Sequence, residues 1–183
     1  MDFKLVFERL LTFFHENNVR YALIGGFALG LYGVSRSTVD IDFLVHRNDL
    51  LKINIIMKEL GYDCAYSSEN VSQFISPLKV FGEVDYIHAF REISVKMLQN
   101  AEEKKVFNET ITIKVLKVED IIGFKVQAIA NNPSRKALDL SDIDSLMELH
   151  GSSLDWESME EYFSMFGFTK LFKELKGKYF RAD

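Results

Sequence analysis

A pair of glycines near the N-terminus constrains the fold more than any other feature of the sequence. The pair lies between two strand-like segments. Residues 20–24 are short and apolar, and Gly25 and Gly26 follow them directly. Residues 27–31 have the composition of a short helix, and residues 39–46 alternate polar and apolar side chains as a half-buried strand does. This order predicts a strand, a glycine turn, a short helix and a second strand.

The remaining segments are either helical or strand-like in pattern. Apolar residues at helical spacing predict helices over residues 2–17, 49–60, 91–101, 118–130, 134–149, 155–165 and 169–177. β-Branched and aromatic residues predict strands over residues 62–66, 72–76, 79–88 and 109–116. We therefore expect an α+β fold, with a mixed sheet flanked by helices and a helical C-terminal third. The expected arrangement is one domain over residues 1–183, with a sheet core at about 18–116 and a helical part at 117–183.

Composition narrows the class of protein. The chain has 183 residues, of which 48% are hydrophobic and 16 are Phe, and this is enough for one ordinary core. Its apolar runs are far shorter than a membrane span, and its first residues lack the features of a secretion signal, so we expect no membrane association. Cys64 is the only cysteine, which excludes an intramolecular disulfide and a cysteine-based zinc site. We expect Cys64 to be a small core residue and the protein to be cytoplasmic.

The net charge of −5 gives no indication of a protein that coats nucleic acid indiscriminately. It does not exclude a local basic groove, because such a surface depends on where the charges lie rather than on their sum. An RNA acceptor therefore stays compatible with the composition.

Three carboxylates are the chemically informative residues of the predicted sheet. Side chains alternate along a strand, so Asp40 and Asp42 project from the same face. Neighbouring carboxylates repel each other, and a divalent cation such as Mg²⁺, which prefers hard oxygen ligands, removes this repulsion. Asp85 lies between apolar neighbours in a later strand, and it completes a trio if the two strands are adjacent. Such a trio can hold two metal ions about 3.5–4 Å apart, an arrangement that supports in-line displacement at phosphorus.

The glycine pair predicts a site for an anion beside these carboxylates. Where a strand ends and a helix begins, backbone N–H groups and the helix dipole favour an anion such as a triphosphate, and glycines let the phosphates come close. The following loop adds hydroxyl donors and a cation, namely Ser35, Arg36, Ser37 and Thr38. Arg36 has two interpretations, a phosphate contact or a partner of a carboxylate in the trio. A phosphate site next to a two-metal carboxylate cluster implies phosphoryl or nucleotidyl transfer.

The glycine pair together with residues 36–42 (Arg-Ser-Thr-Val-Asp-Ile-Asp) resembles the signature of the DNA polymerase β-like nucleotidyltransferase superfamily. That signature is a Gly-Gly or Gly-Ser pair followed by Asp-hydrophobic-Asp, with a third acid on a later strand, and Asp85 fits the third position. The chain most resembles the minimal bacterial branch, which includes AbiEii-type toxin nucleotidyltransferases. Residues 118–128 and 135–143 resemble helical segments of the same branch, so the likeness covers about residues 20–147.

This resemblance implies a nucleotidyltransferase fold with a site for Mg²⁺ and a nucleoside triphosphate. By the resemblance, Asp40, Asp42 and Asp85 are the metal ligands and catalytic residues, with two Mg²⁺ ions as the expected cofactors. Gly25 and Gly26 belong to the nucleotide site, and Asp85 also helps to activate the acceptor hydroxyl. The loop residues that would join them in binding the nucleotide are Ser35, Arg36 and Thr38.

Three residues of the helical part are further candidates by resemblance. Lys125 is a candidate contact to the triphosphate, and Asp139 and Asp142 are candidates to bound the site on the helical side. Each has an alternative as an ordinary solvated position. Lys125 belongs to a helix with an apolar face. The two aspartates belong to a helix with a run of acidic residues, which is typical of a solvent-exposed helix face.

The expected function is transfer of a nucleoside monophosphate from a nucleoside triphosphate to a hydroxyl of a macromolecular acceptor. The resemblance to toxins favours a tRNA or a protein as the acceptor partner, with an antitoxin as a second partner. A small-molecule nucleotidyltransferase that inactivates an antibiotic is the first alternative, and a non-catalytic nucleotide-binding member of the fold is the second. The carboxylates are common to the first two functions, so the motif does not separate them.

Overall fold

The computed structural model describes residues 1–180. The chain divides into two compact units. One unit comprises Met1–Ala28 and Ser37–Leu116, and the other comprises Leu29–Arg36 and Lys117–Asp183. Among the residues described, no helix combines the length and the apolar composition that crossing a bilayer requires.

The first unit contains the sheet. Its helices are α1 (Phe3–Glu16), α2 (Gly25–Leu31, which continues into the second unit), α3 (Leu50–Glu59) and α4 (Glu92–Gln99). Its strands are β1 (Tyr21–Ile24), β2 (Asp40–His46), β3 (Asp63–Ser67), β4 (Val71–Ile75), β5 (Glu83–Ala89), β6 (Glu102–Val106) and β7 (Ile111–Val115). The strands form one sheet in the order β3-β4-β5-β2-β1-β7-β6. The sheet is mixed, because β2 runs antiparallel to β1 and parallel to β5.

An aromatic core packs against one face of the sheet. Phe43 of β2 and Tyr86 of β5 are fully buried, and their rings are stacked 5.9 Å apart. Phe14 of α1 packs edge-on against Phe43 at 5.4 Å, and the Tyr86 hydroxyl donates to Met57 Sδ of α3 at 3.0 Å. Helices α1 and α3 therefore cover this face. Side chains one position away along β2 and β5 project from the opposite face.

A buried carboxylate connects the start of β1 to the start of α3. Asp49 ends a short 3₁₀ turn before α3 and is 3% exposed. It accepts hydrogen bonds from the Arg20 backbone N–H at 3.1 Å and from Arg20 Nε at 2.8 Å, and Lys52 Nζ lies 3.0 Å away. Burial by itself would raise the pKa of Asp49, but the hydrogen bonds from Arg20 and Lys52 lower it to about 2. The ionised carboxylate therefore links Arg20, just before β1, to Lys52 in the first turn of α3.

The second unit is helical. Its helices are α5 (Val118–Asn131), α6 (Lys136–His150), α7 (Trp156–Met165) and α8 (Thr169–Tyr179). Helices α5 and α7 approach closely at Gly123, where a Cβ atom would lie 2.7 Å from the Tyr162 ring. The Tyr162 hydroxyl donates to Asp120 at 2.5 Å and completes this contact. A larger residue in place of Gly123 would force the two helices apart.

The predicted fold class is confirmed, since the structure has a mixed sheet flanked by helices and a helical last third. Two expectations about strands were wrong. The sequence pattern predicts no strand at β6, because Glu-Glu-Lys-Lys has low strand propensity. In the structure β6 is an edge strand, and three of its four charged residues are exposed. Cys64 is exposed rather than in the core, because β3 is the other edge of the sheet.

We expect Asp49→Asn to destabilise the protein, with an effect that weakens in acid. The pKa of Asp49 is about 2 when folded against a usual 3.8, so the unfolded chain binds more protons between these values. The stability contributed by the ionised carboxylate is present above about pH 4 and is lost as the pH falls towards 2. Urea unfolding followed by circular dichroism should show the difference between wild type and variant shrinking by about 1 kcal/mol between pH 6 and pH 3. A difference that stays constant with pH would contradict this role.

Candidate active site

Strand pairing brings the three predicted carboxylates together on the sheet face opposite the aromatic core. Strands β2 and β5 are parallel neighbours, and their register sets Asp42 beside Asp85 and Asp40 beside Glu83. One carboxylate oxygen from each of Asp40, Asp42 and Asp85 lies within 4.8 Å of the other two. All three residues are half-buried. The sequence predicted this trio only if the two strands were adjacent, and β2 and β5 are adjacent in the structure.

Neutral donors hold two of the three carboxylates. Thr38 Oγ1 donates to Asp40 Oδ1 at 2.8 Å. Gln73 of β4 lies opposite Asp85 in the β4–β5 register, and its Nε2 donates to Asp85 Oδ2 at 2.9 Å. Both donors fix the direction of a carboxylate without cancelling its charge.

Burial and like charges act together on Asp85. Burial raises its pKa, the hydrogen bond from Gln73 lowers it, and the charges of Asp40 and Glu83 raise it, so that the pKa lies above its usual value. The sequence pattern marks neither Gln73 nor Glu83 as a site residue. Only the pairing of β4 with β5 and of β5 with β2 reveals them, and no local sequence pattern specifies that pairing.

The glycine pair is required by the close approach of the backbone to these carboxylates. Gly25 begins α2 with φ of +68°, a left-handed conformation that favours glycine. A Cβ atom at Gly25 would overlap the Asp42 carboxylate, and a Cβ atom at Gly26 would lie 2.7 Å from Thr38 Cβ. The sequence predicted these glycines as phosphate contacts. The structure gives them an additional role, since they leave room for Asp42 and for the threonine that holds Asp40.

The carboxylate trio fits a divalent cation. One hard oxygen ligand from each residue lies within 4.8 Å of the other two, and the backbone beside Asp42 carries no side chain at Gly25. Mg²⁺ prefers such oxygen ligands and commonly uses only a few carboxylates, with the substrate's phosphates completing its coordination. The residues present therefore match the ion that the sequence predicted.

Within the second unit, the predicted residues Lys125, Asp139 and Asp142 form a buried ion network. Lys125 Nζ lies 2.5 Å from Asp142 Oδ2 and 3.2 Å from Asp139 Oδ1. Arg36 Nη1 pairs with Asp142 at 2.7 Å, and Arg135 Nε pairs with Asp139 at 2.9 Å. Burial alone would raise the pKa of Asp139, but the hydrogen bonds and charges of Arg135 and Lys125 lower it below its usual value.

Burial and pairing in this network decide whether Lys125, Asp139 and Asp142 are solvated positions. Asp139 is 0% exposed, Asp142 5% and Lys125 8%, so the alternative of solvated positions is wrong for all three. Arg36 does pair with a carboxylate, although its partner is Asp142 rather than a member of the trio. Ser35 is exposed. The roles of these residues in nucleotide binding stay predictions.

We expect Lys125→Met to destabilise the protein by about 1.5–3 kcal/mol, because two buried carboxylates lose a hydrogen-bonded cation while each keeps an arginine partner. Chemical unfolding measures this loss. Lys170→Met is the matched control, since Lys170 is an exposed lysine of α8, and its effect should stay within about 0.5 kcal/mol. Equal stability of the two variants would mean that the buried network contributes little to folding.

Solved structures of nucleotidyltransferases share this fold. The antibiotic-resistance factor ANT(2″)-Ia is 18% identical, with a TM-score of 0.64 over 97% of this chain and 98% of that chain. The lincosamide antibiotic adenylyltransferase LnuA, solved with lincomycin bound, is 14% identical, with a TM-score of 0.57 over 79% and 96% of the two chains. A putative nucleotidyltransferase from Thermotoga maritima is 15% identical, with a TM-score of 0.54 over 76% and 90%. At these identities the similarity establishes the fold alone.

Sequence comparison identifies the family. No curated protein sequence matches the chain significantly. The family described as "uncharacterised nucleotidyltransferase" matches residues 4–174, which include the glycine pair, the carboxylate trio and most of the helical part. The chain therefore belongs to this nucleotidyltransferase family.

Proposed function

We propose that this protein transfers a nucleoside monophosphate from a nucleoside triphosphate to a hydroxyl group of an acceptor. The observation that carries the proposal is the convergence of Asp40, Asp42 and Asp85 within 4.8 Å, beside a backbone turn made of glycines. Two neighbouring strands have no structural need for three carboxylates at one place, because these groups repel each other. Their presence in a member of a nucleotidyltransferase family supports catalysis rather than nucleotide binding alone.

The trio would hold Mg²⁺, with ligands enough for two ions. When bound there, Mg²⁺ would neutralise charge on the triphosphate and on the departing pyrophosphate. The chain's own contribution is to fix the ligands: Thr38 holds Asp40, and Gln73 holds Asp85.

The proposed reaction is an in-line displacement at the α-phosphorus. Asp85 accepts the proton of the acceptor hydroxyl, and the acceptor oxygen forms a bond to the α-phosphorus. The bond from that phosphorus to the oxygen bridging to the β-phosphate breaks, and its electron pair leaves with pyrophosphate. The amides of Gly25 and Gly26 are the proposed contacts to the phosphates, because no side chain obstructs them.

Other residues are proposed to support the nucleotide site. Ser35 and Thr38 would donate hydroxyl groups, and Arg36 and Lys125 would supply positive charge. Both cations are paired with Asp142; Asp139 and Asp142 would thus hold them in place rather than touch the substrate.

A macromolecular hydroxyl, on a tRNA or a protein, is the acceptor that follows from the resemblance to AbiEii-type toxins. An antitoxin partner and a cytoplasmic location belong to the same proposal. A small-molecule acceptor is the second candidate, favoured by one observation. ANT(2″)-Ia, an antibiotic-resistance factor, is similar over 97% of this chain and 98% of its own, so the two chains are of nearly equal extent.

We expect Asp42→Asn to abolish transfer while leaving the protein folded. The change keeps the shape of the side chain but removes a charged metal ligand, and a loss of several kcal/mol in the transition state corresponds to more than about 100-fold in rate. The assay incubates the protein with Mg²⁺ and each of four α-³²P-labelled triphosphates in the presence of bacterial RNA and protein. Asp63→Asn, at an exposed carboxylate of β3, is the matched control and should keep full activity.

The same assay distinguishes the acceptors. Label that enters RNA or protein with the wild type, and does not with Asp42→Asn, supports a macromolecular acceptor. Label that appears only when aminoglycosides or lincosamides are added supports a small-molecule acceptor. An Asp42→Asn variant as active as the wild type would contradict the proposed role of the trio.

We expect Gly25→Ala to weaken metal binding by about tenfold or more, because the new methyl group displaces the Asp42 carboxylate. Titration with Mn²⁺, followed by electron paramagnetic resonance, measures the affinity. Gly30→Ala is the matched control in the same helix, since a Cβ atom there meets nothing within 4 Å. It should bind Mn²⁺ as the wild type does and gain about 0.5–1 kcal/mol in stability. Equal affinities in the two variants would refute the steric argument.

A further inference from the structure

Gln73 of β4 lies on the same sheet face as the carboxylate trio, and the nucleotidyl transfer proposed above assigns it no contact with the substrate. Its neighbours along the strand settle its orientation. Ser72 and Phe74 are buried on the opposite face, where Ser72 Oγ lies 3.0 Å from His88 Nε2 and the Phe74 ring packs against Tyr86 at 5.7 Å. Because side chains alternate, these two anchors turn Gln73 towards Asp85.

The contact that Gln73 makes is specific. Its Nε2 donates to one carboxylate oxygen of Asp85, Oδ2, at 2.9 Å. The donor is a neutral amide, so it sets the direction of the carboxylate but leaves its negative charge uncompensated. A lysine or arginine at this position would instead occupy the carboxylate as an ion pair and compete with a metal ion.

Asp85 needs such a restraint because like charges surround it. Asp40 lies within 4.8 Å in the trio, and the charge of Glu83, two residues earlier on the same strand, also acts on it. Repulsion from these groups favours rotation of the Asp85 carboxylate away from the trio. The hydrogen bond from Gln73 opposes that rotation.

We propose that Gln73 is a positioning residue, which holds the Asp85 carboxylate in the orientation that binds metal and receives the acceptor proton. This inference rests on the proposed nucleotidyl transfer. Outer hydrogen bonds of this kind orient the ligands of metal sites, and their loss commonly lowers metal affinity by about 10–100-fold.

The test replaces Gln73 by Met, which keeps the length of the side chain but cannot donate. Mn²⁺ titration should show an affinity at least about tenfold weaker than that of the wild type. In the transfer assay kcat should fall while the KM for the triphosphate changes little, because the orientation of Asp85 matters most in the transition state. Gln99→Met is the matched control, since Gln99 is an exposed glutamine at the end of α4, and it should leave both quantities unchanged.

A second variant, Gln73→Asn, guards against a trivial loss of folding. It keeps the amide and its polarity but withdraws the donor by one methylene group, so it should show the same loss of Mn²⁺ affinity in a protein of normal circular dichroism. A wild type that binds Mn²⁺ and transfers nucleotide, together with unchanged affinity and kcat in both Gln73 variants, would overturn the role of Gln73 alone. A wild type that neither binds Mn²⁺ nor transfers nucleotide would overturn the proposed function and this inference together.

Discussion

The site depends on one electrostatic constraint, the repulsion among the neighbouring carboxylates of Asp40, Asp42 and Asp85. At an effective dielectric constant of about 20, two unit charges about 5 Å apart repel by about 3 kcal/mol, and the trio contains three such pairs. The hydrophobic core on the other face forces this arrangement. A shift of β2 or β5 by one residue would turn Phe43 or Tyr86 out of the core. Packing of the aromatic residues therefore keeps Asp42 beside Asp85, and a bound cation would relieve the resulting strain.

The residues around the trio are those that tolerate this crowding. Gly25 and Gly26 yield space to Asp42 and Thr38, and hydroxyl and amide donors hold Asp40 and Asp85 without neutralising them. The second unit treats its carboxylates differently, because Asp139 and Asp142 are buried and fully engaged with cations. Carboxylates that are held by neutral donors keep their negative charge and can bind a metal ion. Carboxylates that are paired with cations are already neutralised and stabilise the helical unit instead.

The sequence predicted the parts of the site that depend on local pattern. Alternation along a strand placed Asp40 and Asp42 on one face, and the glycine pair marked the turn beside them. Local sequence pattern does not predict the site residues whose position depends on pairing between distant segments. Gln73 contacts Asp85 only because of the β4–β5 register. The acidic residues of α6 resembled a solvent-exposed helix face because their partner Lys125 lies on a different helix. The charged strand β6 was missed because hydrogen bonding to β7, rather than its own propensity, makes it a strand.

A crystal structure with Mn²⁺ and a non-hydrolysable nucleoside triphosphate analogue tests the proposed metal and nucleotide site most directly, because anomalous scattering locates the metal. We expect at least one Mn²⁺ peak within coordination distance of carboxylate oxygens of Asp40 and Asp42, with the phosphates of the analogue beside the Gly25-Gly26 turn. Metal bound elsewhere, or a nucleotide bound without contact to these carboxylates, would contradict it.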